Sequence, residues 1–260
     1  MSDHASTNRE PAEMNPFDLG GRTALVTGAN TGLGQAIAVG LAGAGADIVA
    51  VGRSAPTETE AMVIGLGRSF KAISADLGST APIADVVAQA GPVDILVNNA
   101  GIIRRADSLD FSEADWDAVM DTNLKTAFFL SQAVARTWVA GGRGGRIINI
   151  CSMLSFQGGI RVPSYTASKS GLAGLTRLLA CEWASKGINV NGIAPGYFET
   201  NNTEALRADE TRNRDILARI PAGHWGKPSD LAGAAVFLSS DAASYVHGTV
   251  LAVDGGWLAR

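Results

Sequence analysis

Apolar residues follow two rhythms along this chain. Short apolar runs rich in Val, Ile and Leu recur at "RTALVTG" (22–28), "ADIVAVG" (46–52), "SFKAISAD" (69–76), "VDILVNNAG" (93–101), "RIINICS" (146–152), "INVNGIAPG" (188–196) and "TVLAVDGG" (249–256). Their length and residue types predict strands buried in a sheet. Longer stretches between them place apolar residues at helical spacing. "GQAIAVGLAGAG" follows the first strand, and "TETEAMVIGL" the second, with Thr57 and Glu60 set as a capping box. "PIADVVAQAG" predicts a short helix. A long one begins near Ser112, capped with Asp115, and runs to about Ala140. Three more are predicted around Tyr165, within 203–219 and over 229–240.

Strand–helix alternation implies parallel strands joined by right-handed crossovers, with helices on both faces. No linker or internal repeat interrupts it. The expectation is one α/β domain over 17–260, a doubly wound Rossmann-type parallel sheet of about seven strands. Residues 1–16 form a loose polar tail, and the Asn/Arg-rich stretch 197–227 a mobile substrate lid.

Composition narrows the class. At 260 residues, with 46% hydrophobic and 18% charged residues, the chain can bury one large core. A net charge of −4 and a pI near 5.4 argue against nucleic acid or an anionic membrane as partner. Cys151 and Cys181 match no zinc or redox spacing and predict two buried thiols in a reducing, cytoplasmic setting. His4, His224 and His247 match no metal spacing, so no metal is expected. No apolar run reaches the roughly 18–20 residues that cross a bilayer.

Two motifs carry chemistry. "TGANTGLG" (27–34) joins the first strand to its helix, where glycines let a pyrophosphate approach the helix N-terminus. Its candidates are Gly28, Asn30, Thr31, Gly32, Leu33 and Gly34. At the second strand's end an acid would bind the adenosine ribose. Gly52 stands there instead, followed by Arg53, which suits either a 2′-phosphate or open solvent. Asp76 and Leu77, after the third strand, are placed near the adenine. Asn98, Asn99, Ala100 and Gly101 end the fourth strand, where open sheets bind ligands.

The second motif is "SYTASKSGL" (164–172), with Tyr165 and Lys169 one helical turn apart. A ketone reduction needs a proton delivered to oxygen as a hydride reaches carbon. A phenol near pKa 10 is too weak an acid for that, and a neighbouring ammonium would lower it. Ser152 could hold the carbonyl oxygen, and Asn123 could anchor a water linking the lysine to solvent.

"TGANTGLG", "NNAG", Asn123, Ser152, "YTASK" and "PG" (195–196) together resemble the short-chain dehydrogenase/reductase family over nearly all of 17–260. The resemblance implies Tyr165 as general acid/base, Lys169 as its pKa-lowering partner and cofactor binder, Ser152 as carbonyl holder and Asn123 as relay residue. It adds Pro195 and Gly196 to the cofactor set. It implies NAD, with NADP admitted by Arg53, and a homotetramer of 222 symmetry joined through the tyrosine helix and the long helix before it.

"NNAGIIRR", "SMLSFQGGIRVPSYTASKSG", "APGYFETNNTEALRADE", "RIPAGHWG" and "VDGGWLAR" resemble members of that family acting on keto sugar acids of uronate breakdown. A sugar-acid carboxylate suits a guanidinium fork. Arg104 and Arg161, with Arg161 first, are therefore the expected carboxylate binders, Arg105 a further candidate, and Gln157, Tyr197 and Asn202 the remaining substrate residues. The other readings are a gluconate 5-dehydrogenase, a 3-oxoacyl thioester reductase, or a nucleotide-sensing module without turnover.

Overall fold

The computed structural model describes residues 15–260. Among these, seven parallel strands form one sheet: β1 (Thr23–Thr27), β2 (Asp47–Gly52), β3 (Phe70–Ser74), β4 (Ile95–Asn98), β5 (Gly145–Ile150), β6 (Ile188–Pro195) and β7 (Val250–Val253). Their order is β3-β2-β1-β4-β5-β6-β7. The winding direction reverses between β1 and β4, which opens a crevice beyond their C-terminal ends. The doubly wound expectation holds. Of the expected tail, residues 1–14, with His4, lie outside the described residues, while Pro16 O accepts a bond from Ala242 N.

Helices α1 (Gly32–Gly43) and α9 (Ala232–Ser239) cover one face of the sheet. Ile37, Leu41, Ala235 and Leu238 pack there on Val26, Ile48, Ile95 and Ile148. Helices α3 (Ile83–Ala90), α5 (Thr126–Ala140) and α6 (Pro163–Trp183) cover the other. Val86, Leu130, Val134, Trp138 and Leu179 meet Leu25, Leu96 and Ile147 on that side. Helix α2 (Thr57–Gly65) begins one residue later than its expected cap. Pro56 occupies the cap position and has no side-chain acceptor, so the Thr57–Glu60 box does not form.

The long helix is interrupted. Helix α4 (Glu113–Met120), whose Ser112 cap accepts from Asp115 N as expected, passes through a π-turn at Asp121–Lys125 before α5 begins. Asn123 sits in that turn. Cys151 is buried as expected, but Cys181 is exposed on the outer side of α6, correcting the second thiol.

Residues 197–226 leave the sheet after β6 and return to their starting point. Gly226 N donates to Tyr197 O and Glu199 N to Gly226 O, which pins the base of the excursion. It carries α7 (Glu204–Ala208) and α8 (Glu210–Arg219), where one continuous helical section was expected. Asp209 divides them, and its carboxylate accepts from Thr211 N and Arg212 N as the cap of α8.

Candidate active site

The C-terminal ends of β1, β4, β5 and β6 open into a cleft of about 1050 Å³. Its floor is the glycine turn. Gly28 adopts φ +67, and a Cβ on Gly34 would overlap Gly28 O and the Asn99 amide, so only glycine lets α1 approach β4 this closely. The Asn99 side chain donates to Thr27 O at 2.9 Å and Gly28 O at 3.1 Å, and Thr27 Oγ1 accepts from Asn99 N and Ala100 N. These bonds fix the turn from below. The N-terminus of α1 has no side-chain cap and no acid in its first turn, which leaves its N–H groups for an anion. The residues present therefore fit a dinucleotide pyrophosphate.

Gly28, Asn30, Thr31, Gly32, Leu33, Gly34, Asn99, Ala100, Gly101, Pro195 and Gly196 all line the cleft. Arg53, Asp76 and Leu77 do not. Arg53 is exposed past the end of β2, Asp76 Oδ1 accepts from Gly78 N, and the Leu77 side chain is buried in the core.

The catalytic candidates meet on one wall. Ser152 ends β5 and caps the turn Met153–Ser155, its Oγ accepting from Leu154 N at 3.2 Å. Ser155 ties this turn to α6, because its hydroxyl accepts from Ser152 N and donates to Lys169 O at 2.7 Å. Pro163 begins α6 with its φ already helical. Tyr165 and Lys169 then share one face of that helix, Lys169 Nζ lying 5.6 Å from the centre of the tyrosine ring. The ammonium donates to Ile150 O at 2.6 Å.

Burial lowers Lys169 to about 8, with Cys151 opposing weakly. Burial also raises the Tyr165 phenol, and the Ser152 hydroxyl and Arg105 charge only partly counter it. This corrects the expectation of a phenol already acidified by its lysine: in the protein alone, desolvation dominates.

Asn123 is 1% exposed and does not line the cleft. Its amide exchanges two bonds with the backbone of Ile102, at 2.8 and 2.9 Å, and donates to Ser168 Oγ at 3.3 Å. The side chain thus holds the loop after β4 against α6. The expected water-anchoring role is not what its bonding offers.

The substrate end departs most from expectation. Gln157, Tyr197 and Asn202 line the cleft, but Arg104 and Arg161 do not. Arg104 Nε pairs with Asp115 at 3.1 Å. Arg161 is exposed, at φ +61, with its carbonyl accepting from Ala106 N. Arg105 reaches the cleft instead, together with Arg212 and Arg219 of α8, which sequence reasoning missed. The signal was present: Arg212, Asp215, Ile216 and Arg219 stand at i, i+3, i+4 and i+7, one stripe of a helix. Trp257, near the chain's far end, closes this side. Among the described residues the wall carries Arg105, Lys169, Arg212 and Arg219 against Asp215 alone. A cationic cleft in a chain of net charge −4 draws anions.

A glycine turn under a switch-point crevice, with a serine, tyrosine and lysine on the facing wall, defines an oxidoreductase that moves hydride to or from a dinucleotide. The sequence profile described as short chain dehydrogenase matches residues 22–211, and the chain belongs to that family of NAD(P)-dependent enzymes acting on CH–OH groups. It is 61% identical over 251 residues to 2-dehydro-3-deoxy-D-gluconate 5-dehydrogenase of Escherichia coli K12, covering 95% of this chain and 99% of that one. Gluconate 5-dehydrogenase of Gluconobacter oxydans is 46% identical, over 92% of this chain and 96% of that one. Among solved structures, a candidate 2-deoxy-D-gluconate 3-dehydrogenase from Agrobacterium tumefaciens with bound NADP is 66% identical. It superposes with a TM-score of 0.91, covering 95% of this chain and 100% of that one.

Proposed function

We propose that this protein oxidises 2-dehydro-3-deoxy-D-gluconate at its C5 hydroxyl, reversibly, to the 2,5-diketo acid. The observation that carries this is the cationic substrate end of the cleft, which suits a small sugar acid, beside Ser152 and Tyr165. The 61% identity to the E. coli enzyme supports the particular acid. The rival with support is gluconate oxidation at C5, the activity named for the Gluconobacter relative.

In this reading the residues of 28–34, Asn99–Gly101 and Pro195–Gly196 hold the dinucleotide, and Lys169 adds a charge near its ribose. Bound NAD(P) supplies the hydride acceptor and a positive nicotinamide ring. Ser152 Oγ and the Tyr165 phenol both bond the substrate oxygen and orient its C–H. The Tyr165 phenolate takes the hydroxyl proton as the carbonyl forms, and in reduction the phenol returns it. Lys169 as ammonium favours the phenolate. Asn123 keeps the loop after β4 in register with α6.

NADP is accepted alongside NAD. The absence of an acid at Gly52 and the exposed Arg53 support this, as does the NADP held by the 66% identical structure. Residues 17–260 act as one domain, with 197–227 as its substrate lid and 1–16 as a tail. The protein works in the cytoplasm, where its nicotinamide cofactors are found, as a homotetramer. Phe129 on α5 and Leu178 on α6 are exposed apolar side chains suited to that packing.

The test is an assay of 2-dehydro-3-deoxy-D-gluconate and D-gluconate, each with both oxidised cofactors, read by nicotinamide absorbance. Turnover of the first acid with kcat/KM at least tenfold above gluconate is expected. Turnover of gluconate alone makes the rival correct, and no turnover of either removes the assignment. Arg53→Ala is expected to weaken NADP selectively, and a uniform loss with both cofactors would exclude Arg53 from 2′-phosphate binding.

A further inference from the structure

Of the three guanidinium groups at the substrate end, one is held in place. Arg219 lies flat on Trp257, with its Cζ 4.1 Å from the ring centre. Its Nη2 donates to Gln157 Oε1 at 3.5 Å, and Trp257 Nε1 donates to the same oxygen at 3.1 Å. Trp257 is buried and rests edge-on against Tyr197 at 4.8 Å, which meets Trp225 at 5.3 Å. A stack of three aromatic rings thus ends in a guanidinium facing the cleft.

The other two are held differently. Arg105 has one long bond, to Asn202 O at 3.3 Å. The Arg212 side chain has neither a stacking partner nor a hydrogen bond among the described residues. Arg219 forms no ion pair among these residues either. Asp215, one turn earlier on the same helix, lies 3.7 Å from Arg214. Arg219 is therefore a fixed cation without a fixed anion. An arginine fork already placed loses less freedom when a carboxylate arrives, and its planar geometry suits a two-point contact.

We propose that Arg219 binds the substrate carboxylate, and that Trp257 and Gln157 are the positioning residues that aim it. This rests on the sugar-acid reading and names the group that selects an acid over an uncharged sugar of the same shape. It also reassigns Gln157: its Oε1 already accepts from two donors, so it acts through Arg219.

The experiment compares the acid with its carboxamide, which keeps every hydroxyl and loses the charge. Steady-state kinetics are measured for the full chain with saturating cofactor. Wild type is expected to prefer the acid at least thirtyfold in kcat/KM. Arg219→Gln is expected to reduce that preference to near unity by raising KM for the acid, with kcat changed less than threefold and the amide unaffected. Arg219→Lys should recover part of the preference, and Trp257→Leu should lose part of it while Arg219 remains. Acid turnover by wild type with an unchanged preference in Arg219→Gln overturns the assignment of Arg219 and leaves the substrate reading standing. Equal KM increases for acid and amide also overturn it, since they signal a structural defect. Failure of wild type to turn over the acid overturns both.

Discussion

Lys169 Nζ sits 5.6 Å from the centre of the Tyr165 ring, yet gives its short hydrogen bond to Ile150 O. The two side chains share a face without a direct bond. The lysine is stored at the strand end, and the phenol stays protonated in its buried setting. The acid–base site is thus assembled before catalysis but charged for it only when the nicotinamide and substrate arrive.

Removing the phenolic oxygen tests the centre of this arrangement. Tyr165→Phe is expected to lower kcat by about 10³-fold while leaving dinucleotide affinity within a few-fold. Stopped assays of turnover beside a fluorescence titration of reduced cofactor measure the two separately. Full turnover by the variant would exclude Tyr165 as the proton carrier.

The lysine costs the fold stability. Folding depresses its pKa from 10.5 to about 8, so between those values the unfolded chain binds more protons. The stability from this site is complete above pH 10.5 and is lost as pH falls through about 8. Lys169→Met is accordingly expected to stabilise the protein by about 2 kcal/mol at pH 7, with the gain shrinking towards pH 10.5, while activity disappears. Urea unfolding of both proteins at pH 7 and pH 10 checks the sign, and a constant difference between them would contradict it.

Gly34 is the tightest point of the cofactor floor. Gly34→Ala forces a methyl against Gly28 O and the Asn99 amide. The expected result is a loss of about 2 kcal/mol in stability, together with weaker dinucleotide binding. Thermal melting and cofactor titration report the two effects. A variant that binds normally would show that the turn is more compliant than its packing implies.

Arg161 holds a backbone angle that favours glycine, φ +61. Arg161→Gly is expected to raise stability by about 0.5–1 kcal/mol, which is a melting shift of about 1–3 °C. The same protein tests the sequence expectation that Arg161 grips the carboxylate, because a large increase in KM would restore that role.

The sheet was legible because buried parallel strands are apolar throughout, so runs such as 22–28 and 188–196 stood out from their surroundings. The glycine turn and the Tyr165–Lys169 spacing were legible for a similar reason: each is local. The substrate end was not. Arg104 and Arg105 are neighbours in an extended loop, where successive side chains point opposite ways, so only one reaches the cleft. The stripe on α8 lay inside a polar stretch read as a lid without regard to its period. Trp257 stands 100 positions from Gln157, and nothing local announces their bond. Thr57 misled because a capping signature also matched one residue inside the helix.

The π-turn at Asp121–Lys125 bears on how this sequence can drift. It carries one more residue than a regular helix would need, and deleting one should make the helix more regular. Every side chain beyond the deletion would then swing by roughly a quarter turn relative to those before it. Asn123 could no longer face Ile102 and Ser168 while α5 kept its grip on the sheet. A shortening that benefits the helix would therefore be selected against at the site, and the surplus residue should persist in descendants that keep the chemistry.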